Sequence, residues 1–342
     1  MGFGRGGRMP KPDVDDVLTF ALLAVVVSGG EYKADCLKWW SKTVRLVKHL
    51  GLHRDPGGEG EEDEEKRRAF WLVYALDRHL ALSHNRSLDI LDAECLVYTP
   101  VPEHAQSQAM PLPRPYGPPD TITGTSFFEY FLPLMAILGD IIELRLRRHH
   151  PRLSPATPTP TQTEPIKASL AKCTLSLSTS TSASTPHANL VTAYATYILK
   201  VLQVLLHGEW DPPTMLESST DWITSPSFDF PECAASSIAA AHAIADILTL
   251  DPELAFTPYT LGIYLFHGSF VLLLFAERMP QLGLNCEVEL ACEVIIRAHE
   301  SAIVTLSTDF QVPLPFSLPY LLFLDMNLME GVLADCRVEN IP

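Results

Sequence analysis

The stretch WLVYALDRHLALSHNRSLDILDAEC, residues 71–95, decides the fold, taken together with Ala69 and Phe70 before it. Residues 69–76, AFWLVYAL, are apolar around the whole helical circumference, which predicts a helix enclosed on all sides. Into that helix the chain sets Asp77, Arg78 and His79 in succession. Consecutive helical residues stand ~100° apart, so the three sweep ~200° of arc and cannot all reach water from an enclosed helix. Residues one step apart do not face each other, so Asp77 and Arg78 need partners from elsewhere. The polar segment just beyond offers Arg86 for Asp77, and Asp92 or Glu94 for Arg78. We expect a buried network that fixes the packing of helix against loop. A ligand or effector site is the competing reading, with His79 and His267 as its candidate contacts.

Helical periods continue on both sides. Residues 16–28 are apolar all round, as a buried helix would be. In residues 32–52, Leu37, Trp40, Val44, Val47 and Leu50 recur at three- and four-residue steps, while Lys38, Lys42, Arg45 and His49 form a solvent stripe. Gly51 and the run Asp55-Pro56-Gly57-Gly58 stop that helix. The acidic cluster Glu59–Glu65 suits the positive end of the next one. Further helices are expected over 126–148, with Pro133 tolerated near the first turns, and over 188–207, 231–249, 258–279 and 288–306. No convincing alternating segment interrupts them, so the fold class is all-α: an irregular multi-helix domain over residues 13–311. Residues 1–12 read as a flexible tail. Two segments rich in Pro, Ser and Thr, 99–125 and 151–187, read as disordered loops. Residues 312–342 form an atypical tail in which Pro313, Pro315 and Pro319 bar a continuous helix.

Composition excludes several function classes. A chain of 342 residues, 47% of them hydrophobic, can bury a substantial core. Its 25 basic against 41 acidic residues give a formal charge of −16, which repels a phosphate backbone. The seven cysteines form no CxxC pair and read as reduced thiols of an intracellular protein. No secretory pattern opens the chain, so the sequon Asn85-Arg86-Ser87 carries no weight, and the apolar run 261–276 is shorter than the roughly 20 residues a bilayer requires. GFGRGG at residues 2–7 lacks the strand and helix of a dinucleotide site, and His49 with His53 lacks a third ligand. There is no GxSxG, P-loop or SxxK motif, and no close carboxylate pair in an apolar setting. The expectation is a non-enzyme with no catalytic, cofactor-binding or metal site in this chain.

With these residues in view, LGLHRD (50–55), EEKRRAFWLVYALDRHLALSHNRSLDILDAEC (64–95) and Pro102-Glu103 together resemble the fungal-specific transcription factor domain. This is the middle homology region of zinc binuclear cluster regulators. That family writes arginines, an aromatic pair, Asp-Arg, a small Gly-Arg-Pro turn and a short acidic segment. Here Arg67, Arg68, Phe70, Trp71, Asp77, Arg78, Arg86 and Asp92 match, with Asn85 in place of the glycine and Ser87 of the proline. The wording DRHLAL, with FFEYFLPLMAILGDIIEL and YLFHGSF downstream, is similar to the xylanolytic and arabinanolytic activator subfamily, and the likeness covers roughly residues 13–311.

The resemblance implies a nuclear regulatory region that controls plant polysaccharide or pentose catabolic genes. Its implied partners are a sugar-derived inducer, a protein co-regulator or a second copy in a homodimer, and not a membrane. The resemblance assigns Arg67, Arg68, Trp71, Asp77, Arg78, His79, Arg86 and Asp92 to the family signature. In the family, DNA is read by an N-terminal six-cysteine cluster that holds two zinc ions. No cysteine precedes Cys36 here, so this chain is not expected to read DNA by that route. The family is expected to continue past Gln311 with a basic, polar helix, and a misdrawn gene boundary at each end would produce both departures. The alternative on the same fold is a stand-alone helical module that senses a sugar or sequesters a regulator.

Overall fold

The computed structural model describes residues 11–28, 33–102, 114–152, 162–180, 185–208, 229–255, 261–269, 272 and 286–310. Most of the expected N-terminal tail, Glu103 and the proline-rich tail 312–342 lie outside those residues. Among the described residues the chain is all-α: α1 Val14–Ser28, α2 Lys33–Leu50, α3 Glu61–His84, α4 Phe127–Arg148, α5 Glu164–Ser180, α6 Pro186–His207, α7 Phe230–Leu250 and α8 Cys286–Phe310, with residues 261–269 also helical. Among the described residues pairing is confined to two isolated bridges, Arg54 with Leu96 and Tyr98 with Tyr116.

α1 and α2 pack as a pair. α2 buries Cys36, Trp40, Thr43 and Val47 at helical steps, and its Lys38, Lys42, Arg45 and His49 are exposed as the stripe requires. α1, expected to be enclosed, is buried on one face only. Val17, Ala21 and Ala24 face its neighbours, whereas Leu22 and Val26 are 63% and 69% exposed. The reason is position: α1 lies at the edge, packed on α2 and α3 alone among the principal helix contacts.

α3 is the enclosed helix. Glu61, Glu62, Asp63 and Glu64 occupy its first turn, where backbone N–H groups carry partial positive charge. It ends at Asn85, whose φ of 51° and ψ of 51° place it in the left-handed conformation that favours Gly or Asn at a helix C-terminus. Asn85, which stands where the resemblance expects a glycine, adopts the conformation that a glycine there would favour.

α4 packs on α3, α5 and α6 and so lies at the middle of the bundle. A capping box of Ser126 and Glu129 starts it. Pro133 removes the donor that would reach the Glu129 carbonyl, and the Thr123 N–H, 3.4 Å away, takes its place.

Within the two segments rich in Pro, Ser and Thr, the described residues are ordered. Within 151–187 the chain forms α5, 17 residues long, which buries Ile166, Leu170, Cys173 and Leu177 on one face against α4 and α6. Within 99–125, residues 99–102 and 114–125 are irregular but held: Ile122 is buried and its N–H donates to Ser176 Oγ of α5 at 3.2 Å. Backbone lacking secondary structure is fixed here by individual bonds to helices.

α6 and α7 form the most extensive helix pair, and α8 packs on α7. Pro186–His207 and Pro231–Leu250 are long and apolar enough to cross a membrane, yet more than half of each apolar window is buried inside the fold. Two cross-helix features fix the helical segment 261–269. Tyr197 of α6 donates its hydroxyl to the Tyr264 carbonyl at 2.9 Å. Gly268 lies so close to α6 that a Cβ there would stand 3.0 Å from Tyr197 Oη.

Candidate functional site

The network expected around Asp77 and Arg78 forms at the C-terminal half of α3. Asp77, fully buried, accepts from Arg86 Nη2 at 2.8 Å and from the backbone N–H groups of Asp89 and Ile90 at 3.0 and 2.9 Å. Burial pushes its carboxyl above the usual carboxylate range, opposed by Arg86, the Ile90 N–H and Arg78. Arg78, also fully buried, lies over the Tyr74 ring with its guanidinium carbon 3.4 Å from the centroid. Its Nη2 donates to Asp92 Oδ1 at 2.5 Å, and the Tyr74 hydroxyl donates to the same oxygen at 3.0 Å. Gly139 of α4 opens room for this stack, since a Cβ there would come within 3.4 Å of Arg78 Nε.

The loop after α3 is thereby wrapped against α2. Arg86 Nη1 donates to Asp89 Oδ2 at 2.7 Å, and Trp40 Nε1 donates to the same carboxylate oxygen at 3.0 Å. Charge-assisted bonds of this kind are the strong ones, and here they join three segments distant in sequence.

A second clamp, not anticipated from the sequence, sits about three helical turns before the first. Arg67 is buried and makes a forked pair with Asp55, and its Nη2 also donates to the Gly58 carbonyl at 2.6 Å. Asp55 accepts in addition from the Gly57 and Tyr98 N–H groups at 2.8 and 3.1 Å. The Arg67 hydrogen bond, aided by these donors, lowers the Asp55 carboxyl to about 2. Trp71 Nε1 donates to the Tyr98 carbonyl at 2.8 Å, so LGLHRD and the segment after the network are laced to α3 together. In the sequence Asp55 belongs both to LGLHRD and to the Asp-Pro-Gly-Gly stop; neither reading points to its partner twelve positions on.

Arg68, beside Arg67, leaves the core. Its side chain is 38% exposed, with Nε 3.7 Å from Glu64 Oε1, and it lines a cleft of about 340 Å3 between the starts of α3 and α4. His79 and His267 lie elsewhere, in the core. His79 packs near Tyr264, ring centroids 6.2 Å apart, and burial lowers the imidazoles of His79 and His267 to about 4 and about 3. Neither lines the cleft.

The residues of both clamps lie within a segment that resembles a known family. Residues 8–187 match the model of the Fungal specific transcription factor domain. The chain belongs to that family. The xylanolytic transcriptional activator xlnR of Emericella nidulans is 37% identical over 379 aligned residues, covering 87% of this chain and 42% of its own length. The proteins of that name from Aspergillus clavatus and Aspergillus fumigatus are 35% and 36% identical, again over 87% of this chain and 39% and 40% of their own. The chain thus spans about two-fifths of the length of the curated relatives it matches. No solved structure matches it significantly.

Two of the segments that carry the xylanolytic likeness meet in space. His79 of DRHLAL faces Tyr264 of YLFHGSF, and Tyr197 of α6 holds that same Tyr264 through its carbonyl. Among the described residues no group of three or more His, Cys, Asp or Glu could hold a metal ion.

Proposed function

We propose that this chain is the regulatory middle homology region of a nuclear fungal activator of xylan and pentose catabolic genes. The observation that carries the reading is the 35–37% identity to xylanolytic transcriptional activators across 87% of the chain. The work of such a region is conformational. A bundle laced by two buried ionic clamps holds one arrangement, and a sugar-derived inducer or a protein co-regulator shifts it by binding one arrangement better than another. DNA contact would come through a zinc cluster that these residues do not supply, consistent with a net charge of −16. The reading requires no catalytic group.

The test is a fusion of the 342-residue chain to a heterologous DNA-binding domain in a fungal host, with a reporter downstream. Reporter output that rises on addition of xylose is the expected result. Output indifferent to every pentose and pentose oligomer tested would count against it. A gel shift in which the chain alone binds one promoter site at physiological salt would overturn the assignment of DNA reading to another domain.

A further inference from the structure

The cleft between the N-terminal turns of α3 and α4 holds groups that neither ionic clamp uses. One wall is apolar and stiff: Pro100 and Pro102 on the irregular segment, with the rings of Phe127 and Phe128 opposite. Phe127 is fixed by stacking on Phe131, centroids 4.9 Å apart. Beside these faces stand the Arg68 guanidinium and the hydroxyls of Thr99 and Thr123, which make no hydrogen bond to the protein among the described residues. A concave, mostly apolar cavity of this size with a few convergent polar groups is the usual form of a small-molecule site.

Charge selects among ligands. Arg114, on the cleft wall, is neutralised by Glu59 at 3.1 Å and Glu64 at 3.2 Å, and Glu64 also faces Arg68. Glu129, a further carboxylate on the wall, is engaged in the capping box. Glu64 also lies 3.5 Å from Arg67, whose charge Asp55 balances, so the carboxylates still match or exceed the arginines, and no surplus positive charge is left to hold a phosphate or a carboxylate. A neutral molecule with hydroxyls on its edges and C–H faces to lay on aromatic and proline rings fits the lining.

We propose that this cleft binds the inducer, as a neutral mono- or disaccharide. The inference rests on the regulatory reading above and adds its site. It also supplies a route to regulation. Glu64, which faces Arg68, accepts from the Val101 N–H at 2.6 Å and so fastens the irregular wall to α3. A sugar bridging Arg68 and Thr99 adds a second tie between that wall and the helix that carries Arg67 and Arg78.

Titration calorimetry on the full 342-residue chain, with xylose and β-1,4-xylobiose as probes and inorganic phosphate as the anionic control, tests it. Binding of at least one sugar is expected, weakened roughly tenfold by Arg68→Gln and severalfold by Thr123→Val. Both residues are at the surface, so the variants should melt with the parent. No binding of either sugar, binding indifferent to both variants, or tighter binding of phosphate than of sugar would each overturn the assignment. The reporter fusion separates the two ideas. A parent fusion that responds to xylose while Arg68→Gln responds equally well sinks the cleft and leaves the regulatory reading standing; a parent fusion without response sinks the reading itself.

Discussion

Asp55 and Arg67 are joined by two N–H···O bonds of 2.9 Å each, the fork that a guanidinium makes with a carboxylate. The pair pins the exit of α2 to the first half of α3, and the Tyr98 N–H on the same carboxylate draws in the chain that returns past the network.

Breaking this fork should be costly. Arg67→Ala would leave Asp55 facing a site built for a cation, and removal of one partner of a buried pair costs about 3–5 kcal/mol. Arg67→Lys should recover only part of the loss, because an ammonium cannot reproduce the fork. Urea unfolding should show a lower midpoint at unchanged slope for both variants. A Lys variant as stable as the parent would show that charge, not geometry, holds the clamp.

Arg78→Ala should also act mainly through stability, again by about 3–5 kcal/mol. It would remove the stack on Tyr74 and the bond to Asp92, and leave a void opposite Gly139. Calorimetric melting and the reporter fusion answer together. An unchanged melting temperature with lost inducer response would establish Arg78 as an effector contact rather than a strut.

Acid should weaken the fold before neutrality is far behind. Burial lowers His79 and His299 to about 4 and His267 to about 3, from an ordinary value of 6.5. A depressed histidine contributes stability that is present above pH 6.5 and lost as pH falls toward its folded value. Each such group steepens the loss by up to ~1.4 kcal/mol per pH unit. Asp55, held at about 2 against 3.8, follows the same sign lower down: its contribution of about 2 kcal/mol is present above pH 4 and lost toward pH 2. Stability measured by urea unfolding should hold from pH 7.5 to about 6.5 and then decline to pH 4.5, with Asp140, raised by burial to about 6, offsetting part of the loss. His79→Gln should flatten that decline, and a parent curve flat over this range would contradict the burial of neutral imidazoles.

What was legible in the sequence follows from which constraint each residue answers. The pairs Asp77–Arg86 and Arg78–Asp92 could be inferred because an enclosed helix leaves three adjacent ionisable groups no route to water. Asp55–Arg67 escaped because Asp55 sits in Asp-Pro-Gly-Gly, where turn chemistry already accounts for it. α5 escaped because composition outweighed period: Ile166, Leu170, Cys173 and Leu177 keep helical steps of four, three and four inside a background of Ser, Thr and Pro. α1 was over-buried for the opposite reason, since uniform apolarity does not say how many neighbours a helix has. The cleft could not be read at all, because Arg68, Pro100, Thr123 and Phe128 converge only once α3 and α4 are packed.

Gly268→Ala tests a close helix approach in the core. A Cβ at this position would stand 3.0 Å from Tyr197 Oη and 3.2 Å from Val201 Cγ2. Neither neighbour can easily yield, because Tyr197 and Val201 are buried and the Tyr197 hydroxyl is bonded to the Tyr264 carbonyl. Overpacking of this kind costs about 1–3 kcal/mol, while alanine regains ~1 kcal/mol of helix propensity over glycine. The net effect expected is a loss of about 1 kcal/mol. In a Tyr197→Phe background the closest clashing atom is gone, so the same substitution should become neutral or stabilising. A Gly268→Ala penalty that is identical in both backgrounds would mean that the strain lies with Val201 and not with the hydroxyl.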